Sequence, residues 1–307
     1  MQQLWTEQYR PNTVDGYVFR DAEQREQITE WIQSKSIPHI LLSGSPGTGK
    51  TTLAKLLINE LGVQGHDVMF INASRQRGID IIRDKITNFA GTIPFGDFKV
   101  ILLDEADYLT GDAQASMRGV MEEFADNCRF IMTCNYPNKI IPALHSRSQS
   151  IHIPKLDKTA FTERVATVLI TEGVEIDIDT LDIYVSATYP DLRKCLNSVQ
   201  QNSVGGKLSA PSESVASTED YKLRMVELFK AGKISEGRRV AVENATTSDV
   251  ESMYRWMYDN LELWSDTDEG QDAAIRIIRD GLVNHSLVAD VEINLAATLV
   301  ELTTIGE

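Results

Sequence analysis

Gly44-Ser45-Pro46-Gly47-Thr48-Gly49-Lys50-Thr51 is the stretch from which the rest of the chain is read. It follows the apolar run Ile37-Pro38-His39-Ile40-Leu41-Leu42-Ser43. It opens the helical run Thr52-Leu53-Ala54-Lys55-Leu56-Leu57. A glycine-rich loop between a buried strand and a helix start brings backbone N–H groups and a positive helix dipole to one point. That point takes phosphate, and the spacing fits G-x-x-x-x-G-K-[ST] in full. Gly44 through Thr51, with Thr52 in the first helical turn, are the expected cradle. Lys50 is expected at the β- and γ-phosphates, and the Thr51 hydroxyl on Mg2+. A glycine-rich turn without ligand is the alternative. Strand, loop and helix standing in register argue against it.

Four more apolar runs follow: Val68–Asn72, Lys99–Asp104, Cys128–Thr133 and Ser148–Ile153. They are continuous rather than alternating, which fits strands covered on both faces. Strands alternating with helices imply a parallel α/β sheet with helices on both faces. Asp104 and Glu105 end the third run, at the sheet edge where open α/β folds bind ligands. Asp104 is expected to hold the Mg2+ shell, and Glu105 to orient or deprotonate a water. Asp107 reads as a cap or a solvated acid. Asn135 ends the next run and is expected to hydrogen-bond the water or the γ-phosphate. A turn-forming Asn is its plainer reading.

From Lys155 the pattern turns helical. One helix is expected to be capped by Asp157 or Thr159, another to start near Asp179 or Thr180, and a third near Pro190-Asp191. Ser203 to Thr218 is rich in Ser, Gly and Ala and reads as a linker. Beyond it, Ser248-Asp249-Val250-Glu251 has capping-box spacing. Val250, Met253, Tyr254, Met257 and Leu261 share one helical face, and 288–305 forms another amphipathic helix. The expected domains are an α/β domain at 1–155, a helical lid at 156–205, a linker at 206–220 and a helical domain at 221–307.

The 307 residues carry a net charge of −15, unevenly spread. Residues 1–155 hold 16 Lys and Arg against 18 Asp and Glu, net −2, and residues 156–307 hold 14 against 27, net −13. The front half can therefore carry a local basic track, while the acidic back half repels nucleic acid. No apolar run reaches the ~18 residues of a membrane span. The N-terminus lacks the pattern of a signal peptide, so a cytoplasmic location is expected, with no membrane partner. Cys128, Cys134 and Cys195 form no C-x-x-C pair and read as reduced, buried thiols. His145 and His152 lack partners at metal-ligand spacing.

Taken together, these residues resemble the AAA+ sliding-clamp loader family: replication factor C small subunits, bacterial loader motors and the large subunit of T-even-type phage loaders. Trp5-Thr6-Glu7-Gln8-Tyr9-Arg10-Pro11 is similar to the family's W-x-E-K-Y-R-P segment, with Gln8 at the usual Lys. Asn72-Ala73-Ser74-Arg75-Gln76-Arg77-Gly78-Ile79 resembles N-A-S-x-x-R-G-I. Ala113-Gln114-Ala115-Ser116-Met117-Arg118-Gly119-Val120-Met121-Glu122 resembles the central-helix A-Q-x-x-L-R-R-x-M-E, with Met117 for Leu and Gly119 for the second Arg. Leu144-His145-Ser146-Arg147-Ser148 is similar to L-x-S-R-C, and Asp191-Leu192-Arg193-Lys194 to the lid's sensor 2. The resemblance spans 4–202, and the short tail looks most like the phage-type subunit.

The resemblance implies ATP and Mg2+ as cofactors, with Tyr9, Arg10 and Pro11 near the adenine. It makes Arg147 an arginine finger reaching a neighbouring subunit, and Arg193 a lid contact to the γ-phosphate. It also implies a collar at 221–307 that joins other loader subunits, several copies with one small subunit in the phage-type reading. The partners are then a sliding clamp and primer-template DNA held by its backbone. Arg75, Arg77, Arg83 and Lys85 are candidates for the DNA phosphates. Phe89, Ile93, Pro94 and Phe95 are candidates for the clamp, with core packing as the alternative. The other functions compatible with the motifs are a different AAA+ replication ATPase and a scaffold subunit that binds ATP with little turnover.

Overall fold

A computed structural model of the chain describes residues 4–209, 221–231, 233–244, 250–285 and 287–305. Most of the expected linker and the capping residues Ser248 and Asp249 lie outside them, as does the side chain of Arg83. The chain forms two compact units, Tyr9–Leu156 and Met1–Gln8 with Asp157–Glu307.

The first unit is built on five strands: β1 (Ile40–Ser43), β2 (Val68–Asn72), β3 (Lys99–Asp104), β4 (Cys128–Cys134) and β5 (Gln149–His152). All pair in parallel in the order β2-β3-β4-β1-β5, as the α/β reading expects. Alternate residues feed two cores. Leu41, Ile101, Leu103, Phe130 and Met132 pack with Met117, Val120 and Met121 of the helix Gly111–Glu123. Ile40, Leu42, Val100, Leu102 and Ile131 pack on the other face with Leu53, Leu56 and Leu57 of the helix Lys50–Glu60, and with Ile28 and Trp31 of Ala22–Gln33. The pleat directs successive side chains to opposite faces, and the central strands β3, β4 and β1 are buried on both.

β1 starts three residues later than its apolar run. Pro38 has no N–H to give a ladder. Side chains take over there: Arg129 Nε donates to Ile37 O at 2.8 Å, and Phe130 N donates to His39 Nδ1 at 3.1 Å. An imidazole nitrogen that accepts must be unprotonated. Burial first, then the Arg129 charge, push the His39 pKa down to about 4. The segment after Gly78 turns helical at Ile79 and passes through a π-helical turn, Ile81–Ile86, into the α-helical Thr87–Ala90.

The second unit is helical. Asp157 caps Lys158–Thr171 through Ala160 N at 3.0 Å, and Asp191 caps Leu192–Asn202 through Lys194 N at 3.1 Å. The helix expected to start at Asp179 or Thr180 begins earlier, at Ile178. Its cap is Asp177, which accepts from Thr180 N at 2.9 Å and the Thr180 hydroxyl at 2.7 Å. The start of the expected linker is instead a hairpin of β6 (Ser203–Val204) and β7 (Lys207–Leu208). Gly205 and Gly206, with φ of 64° and 81°, make the left-handed pair that a two-residue hairpin turn requires. Five longer helices follow: Tyr221–Lys230, Ile234–Asn244, Val250–Asp259, Asp268–His285 and Val291–Thr303.

Lid and collar, expected as separate domains, fall in one compact unit. Trp256 Nε1 of the collar donates to Ser186 O of the lid at 2.8 Å. The turn Trp5–Gln8, expected with the α/β domain, also groups here. Trp5 is buried, its backbone N–H donates to Gln200 Oε1 at 3.0 Å, and Gln8 Nε2 donates to Glu172 Oε1 at 2.9 Å. The three cysteines are free and buried, and burial pushes each thiol up to about 12.

Candidate active site

The chain leaves β1 at Ser43 and turns at Gly44. A Cβ at Gly44 would stand 2.2 Å from Ile153 O, so no side chain fits. Gly49, at φ +91°, starts the helix Lys50–Glu60 from the left-handed region, with the Tyr17 ring against it. Tyr17 escapes a motif search. Its hydroxyl is buried beside the loop without a partner among the described residues, and burial pushes its pKa up. Lys50 is buried, and its ammonium donates to Gly44 O at 2.8 Å and Ser45 O at 2.6 Å. The cation is thus held over the loop that has to bind phosphate.

Thr51 Oγ1 donates to Asp104 Oδ1 at 2.7 Å, joining the two expected Mg2+ ligands across 53 residues of sequence. Both are hard oxygen donors at one point, the chemistry Mg2+ selects. Among the described residues no cluster of three His, Cys, Asp or Glu could hold a metal by itself. An ion that keeps waters and takes phosphate oxygens beside one or two protein ligands fits this donor set.

Thr133 ties the two acids together. Its hydroxyl donates to Asp104 Oδ1 at 2.7 Å and accepts from Glu105 N at 3.0 Å. Glu105 sits at φ 58°, ψ 44°, a conformation that costs a non-glycine residue energy and turns its carboxylate off the strand. Asn72 Nδ2, at the end of β2, donates to Glu105 Oε2 at 3.3 Å. Thr133 and Asn72 are functional candidates that motif reading passes over, because their part is to hold other groups. Asp107 is neither solvated nor a helix cap. It is buried, and its Oδ2 accepts from Asn135 N at 3.3 Å and Tyr136 N at 3.1 Å. It fixes the turn that places Asn135, half-buried, at the same sheet edge.

Arg147 lies elsewhere. It stands two residues before β5, whose first residue pairs with Ile40, the first of β1. Asp104 ends β3, and Glu105 and Lys50 lie just past the opposite, C-terminal ends of the strands. The four residues of β1 alone set these edges about 10 Å apart at ~3.3 Å per residue. The Arg147 guanidinium is engaged locally. Nε donates to Glu122 Oε1 at 2.8 Å, Nη2 donates to the same oxygen, and Nη1 donates to Ala143 O at 2.9 Å and Ser146 Oγ at 3.2 Å. These hydrogen bonds hold the Glu122 carboxyl below its usual range.

Tyr9, Arg10 and Pro11 are half-buried at the start of the α/β unit. Arg193 is exposed in the first turn of Leu192–Asn202, in the helical unit. Arg75, Arg77 and Lys85 are exposed around the π-helical turn, and Lys85 Nζ donates to Gln76 Oε1 at 3.2 Å.

A phosphate loop, an acid pair at the end of the strand next but one and a polar residue following the strand between them define a P-loop ATPase domain of the AAA class. The profile of the ATPase family associated with various cellular activities (AAA) matches residues 40–156. RuvB of Thermotoga maritima, a Holliday junction branch migration motor, superposes with TM-score 0.53 at 14% identity over 72% of this chain and 79% of that one. A RuvB variant from the same organism reaches 0.55 at 13% identity over 80% and 88%. Both show the fold alone.

The sequence relatives are more particular. The replication factor C small subunit of Methanococcus maripaludis is 35% identical over 284 residues, spanning 91% of this chain and 85% of that protein. That of Saccharolobus solfataricus is 38% identical over 242 residues, spanning 76% and 73%. The chain belongs to the replication factor C small-subunit family.

Proposed function

We propose that this chain is the ATP-hydrolysing motor subunit of a loader that opens a ring-shaped sliding clamp and places it on primed DNA. One observation carries the reading. Lys50, Thr51, Asp104 and Glu105 converge at one sheet edge, while Arg147 stands at the other. A finger on the far edge serves a neighbouring copy, so the ATP sites lie between subunits and turnover depends on assembly. Glu105 accepts the proton of the attacking water, and the Asn135 amide orients it. Lys50 balances charge on the β- and γ-phosphates. Mg2+, when bound by Thr51 and Asp104, neutralises charge on the same phosphates. Arg147 of one copy stabilises phosphoryl charge in the next, an effect of ~10³–10⁵ in rate where such fingers act. Arg193 senses the γ-phosphate from the lid. Tyr9, Arg10 and Pro11 hold the adenine side.

The partners follow from exposed surfaces. Ile93 and Phe95 are 86% and 82% exposed and offer the clamp an apolar tip. Phe89 packs against the core, which fits the plainer reading of that residue. Arg75, Arg77 and Lys85 present a basic track for DNA phosphates, to which Arg83 belongs by sequence. Leu282, Val283, Leu287 and Ile293 are exposed around the connection between the last two helices and support collar contacts between subunits. The mass of the native assembly distinguishes a phage-type composition, several copies with one smaller subunit, from other arrangements.

A scaffold that binds ATP without turnover has no use for a Glu105 held by both Thr133 and Asn72. The test is transfer of the clamp onto a primed DNA circle, followed by co-elution of clamp and circle. Transfer requires ATP and is lost with Lys50→Ala. Transfer that survives Lys50→Ala intact contradicts the proposal.

A further inference from the structure

We propose that Glu122 is an intrasubunit latch on Arg147, holding the guanidinium away from the neighbouring ATP site until clamp and primed DNA bring a stronger acceptor within reach. The inference rests on the reading of Arg147 as a finger acting in the next subunit.

The geometry is specific. A guanidinium has five N–H groups in a fixed fork. In Arg147, Nε and Nη2 each give one to Glu122 Oε1, and Nη1 gives both of its own, to Ala143 O and Ser146 Oγ. One N–H on Nη2 remains. A phosphoryl group is held by an arginine through two parallel N–H bonds, and no edge of this fork has two to offer. Any pose that grips phosphate must first release Glu122 or the 143–146 turn. Glu122 is the acceptor that matters, because a carboxylate beside a transferring phosphoryl group repels the charge the finger has to stabilise.

Glu122 also has an alternative partner. Arg118, one turn earlier on Gly111–Glu123, stands with Nε 3.7 Å from the same Oε1. When Arg147 leaves, Glu122 closes on Arg118 and keeps a cation. The exchange therefore leaves no unpaired carboxylate. Glu122 and Arg118 side chains are 50% and 54% exposed, and Arg147 is 27% exposed. The pair is thus a weak restraint, open to competition by a phosphate. Exposed pairs of this kind restrain their partner by roughly two- to five-fold.

The experiment measures ATP hydrolysis by the assembled loader with wild-type, Glu122→Gln, Arg147→Ala and doubly substituted chains. Each is assayed alone and with clamp plus primed DNA. Glu122→Gln keeps the shape and removes the charge. It is expected to raise the unstimulated rate about two- to five-fold. The stimulated rate and the KM for ATP stay as they were, so stimulation shrinks by the same factor. In the Arg147→Ala background the same substitution is expected to change nothing, because no finger is left to release. An unstimulated rate that stays level or falls with Glu122→Gln overturns the latch while leaving the finger in place. Turnover that ignores Arg147→Ala removes the finger itself and the latch with it.

Discussion

Thr133 shows how much of this site depends on a residue with no chemistry of its own. Its hydroxyl is bonded to the Asp104 carboxylate and to the Glu105 backbone at once. Thr133→Val preserves shape and breaks both bonds. Groups that orient a metal ligand typically change metal affinity or activity 10- to 100-fold when removed. Thr133→Val is therefore expected to lower turnover about 10- to 100-fold, with part of the loss recovered at high Mg2+. A Mg2+ titration of ATP hydrolysis checks this, and an unchanged curve contradicts it. Glu105→Gln separates binding from chemistry. ATP affinity, read by equilibrium titration, is expected to stay near wild type. Turnover falls about 10²- to 10⁴-fold, the range of a general base. The cradle and the acid pair are legible in the sequence because they sit in contiguous motifs. Thr133, Asn72 and the Glu122–Arg147 pair are not. Each acts through a partner 25 to 33 residues away, and only the strand order and the 111–123 helix bring them together.

At the scale of elements, sequence and structure agree where the apolar run is unbroken and part where a single residue changes the local rule. β2 to β4 begin where their apolar runs begin. β1 does not, because Pro38 cannot donate and Arg129 and His39 fill the gap. That substitution has a pH consequence. His39 is neutral in the fold, its pKa depressed to about 4, while the unfolded chain titrates near 6.5. As pH falls through 6.5 the unfolded state gains a proton that the folded state refuses until about 4. Stability therefore falls across that window, with a slope of up to one proton, and levels below it. Denaturant titrations between pH 7 and 4 are expected to show this slope in wild type and a flatter one in His39→Gln. The hairpin at 203–208 was hidden by composition, since Gly-Gly among serines looks like linker, although the same pair is a hairpin turn signal. In the collar, Gly281 has no room for a side chain. A Cβ there would lie 2.4 Å from Thr298 Oγ1 and 2.7 Å from the Tyr254 ring. Those two groups are bonded to each other at 3.2 Å, and Asn294 Nδ2 bridges Tyr254 and Gly281 O at 2.7 and 2.9 Å. Gly281→Ala is expected to destabilise the chain by about 1–3 kcal/mol through overpacking, measured by urea unfolding.

For the whole molecule, charge and site placement point the same way. Residues 156–307 carry a net −13 while residues 1–155 are nearly neutral, so in the proposed loading role the exposed basic residues at 75–85 are the electrostatically favoured place for DNA. In the proposed mechanism the ATP cradle and the arginine, at opposite strand ends, serve different sites, and neighbouring copies complete each other. This property was legible only in part. The motif names Arg147, but the distance that excludes it from its own site comes from the register of β1 with β5. The most direct test is steady-state ATP hydrolysis by the assembled chain, with and without primed DNA plus clamp, in wild type and Arg147→Ala. Strong stimulation that needs both DNA and clamp, and that Arg147→Ala abolishes, is the predicted result. Turnover that ignores the clamp, or that survives Arg147→Ala, contradicts a clamp-loading motor with shared sites.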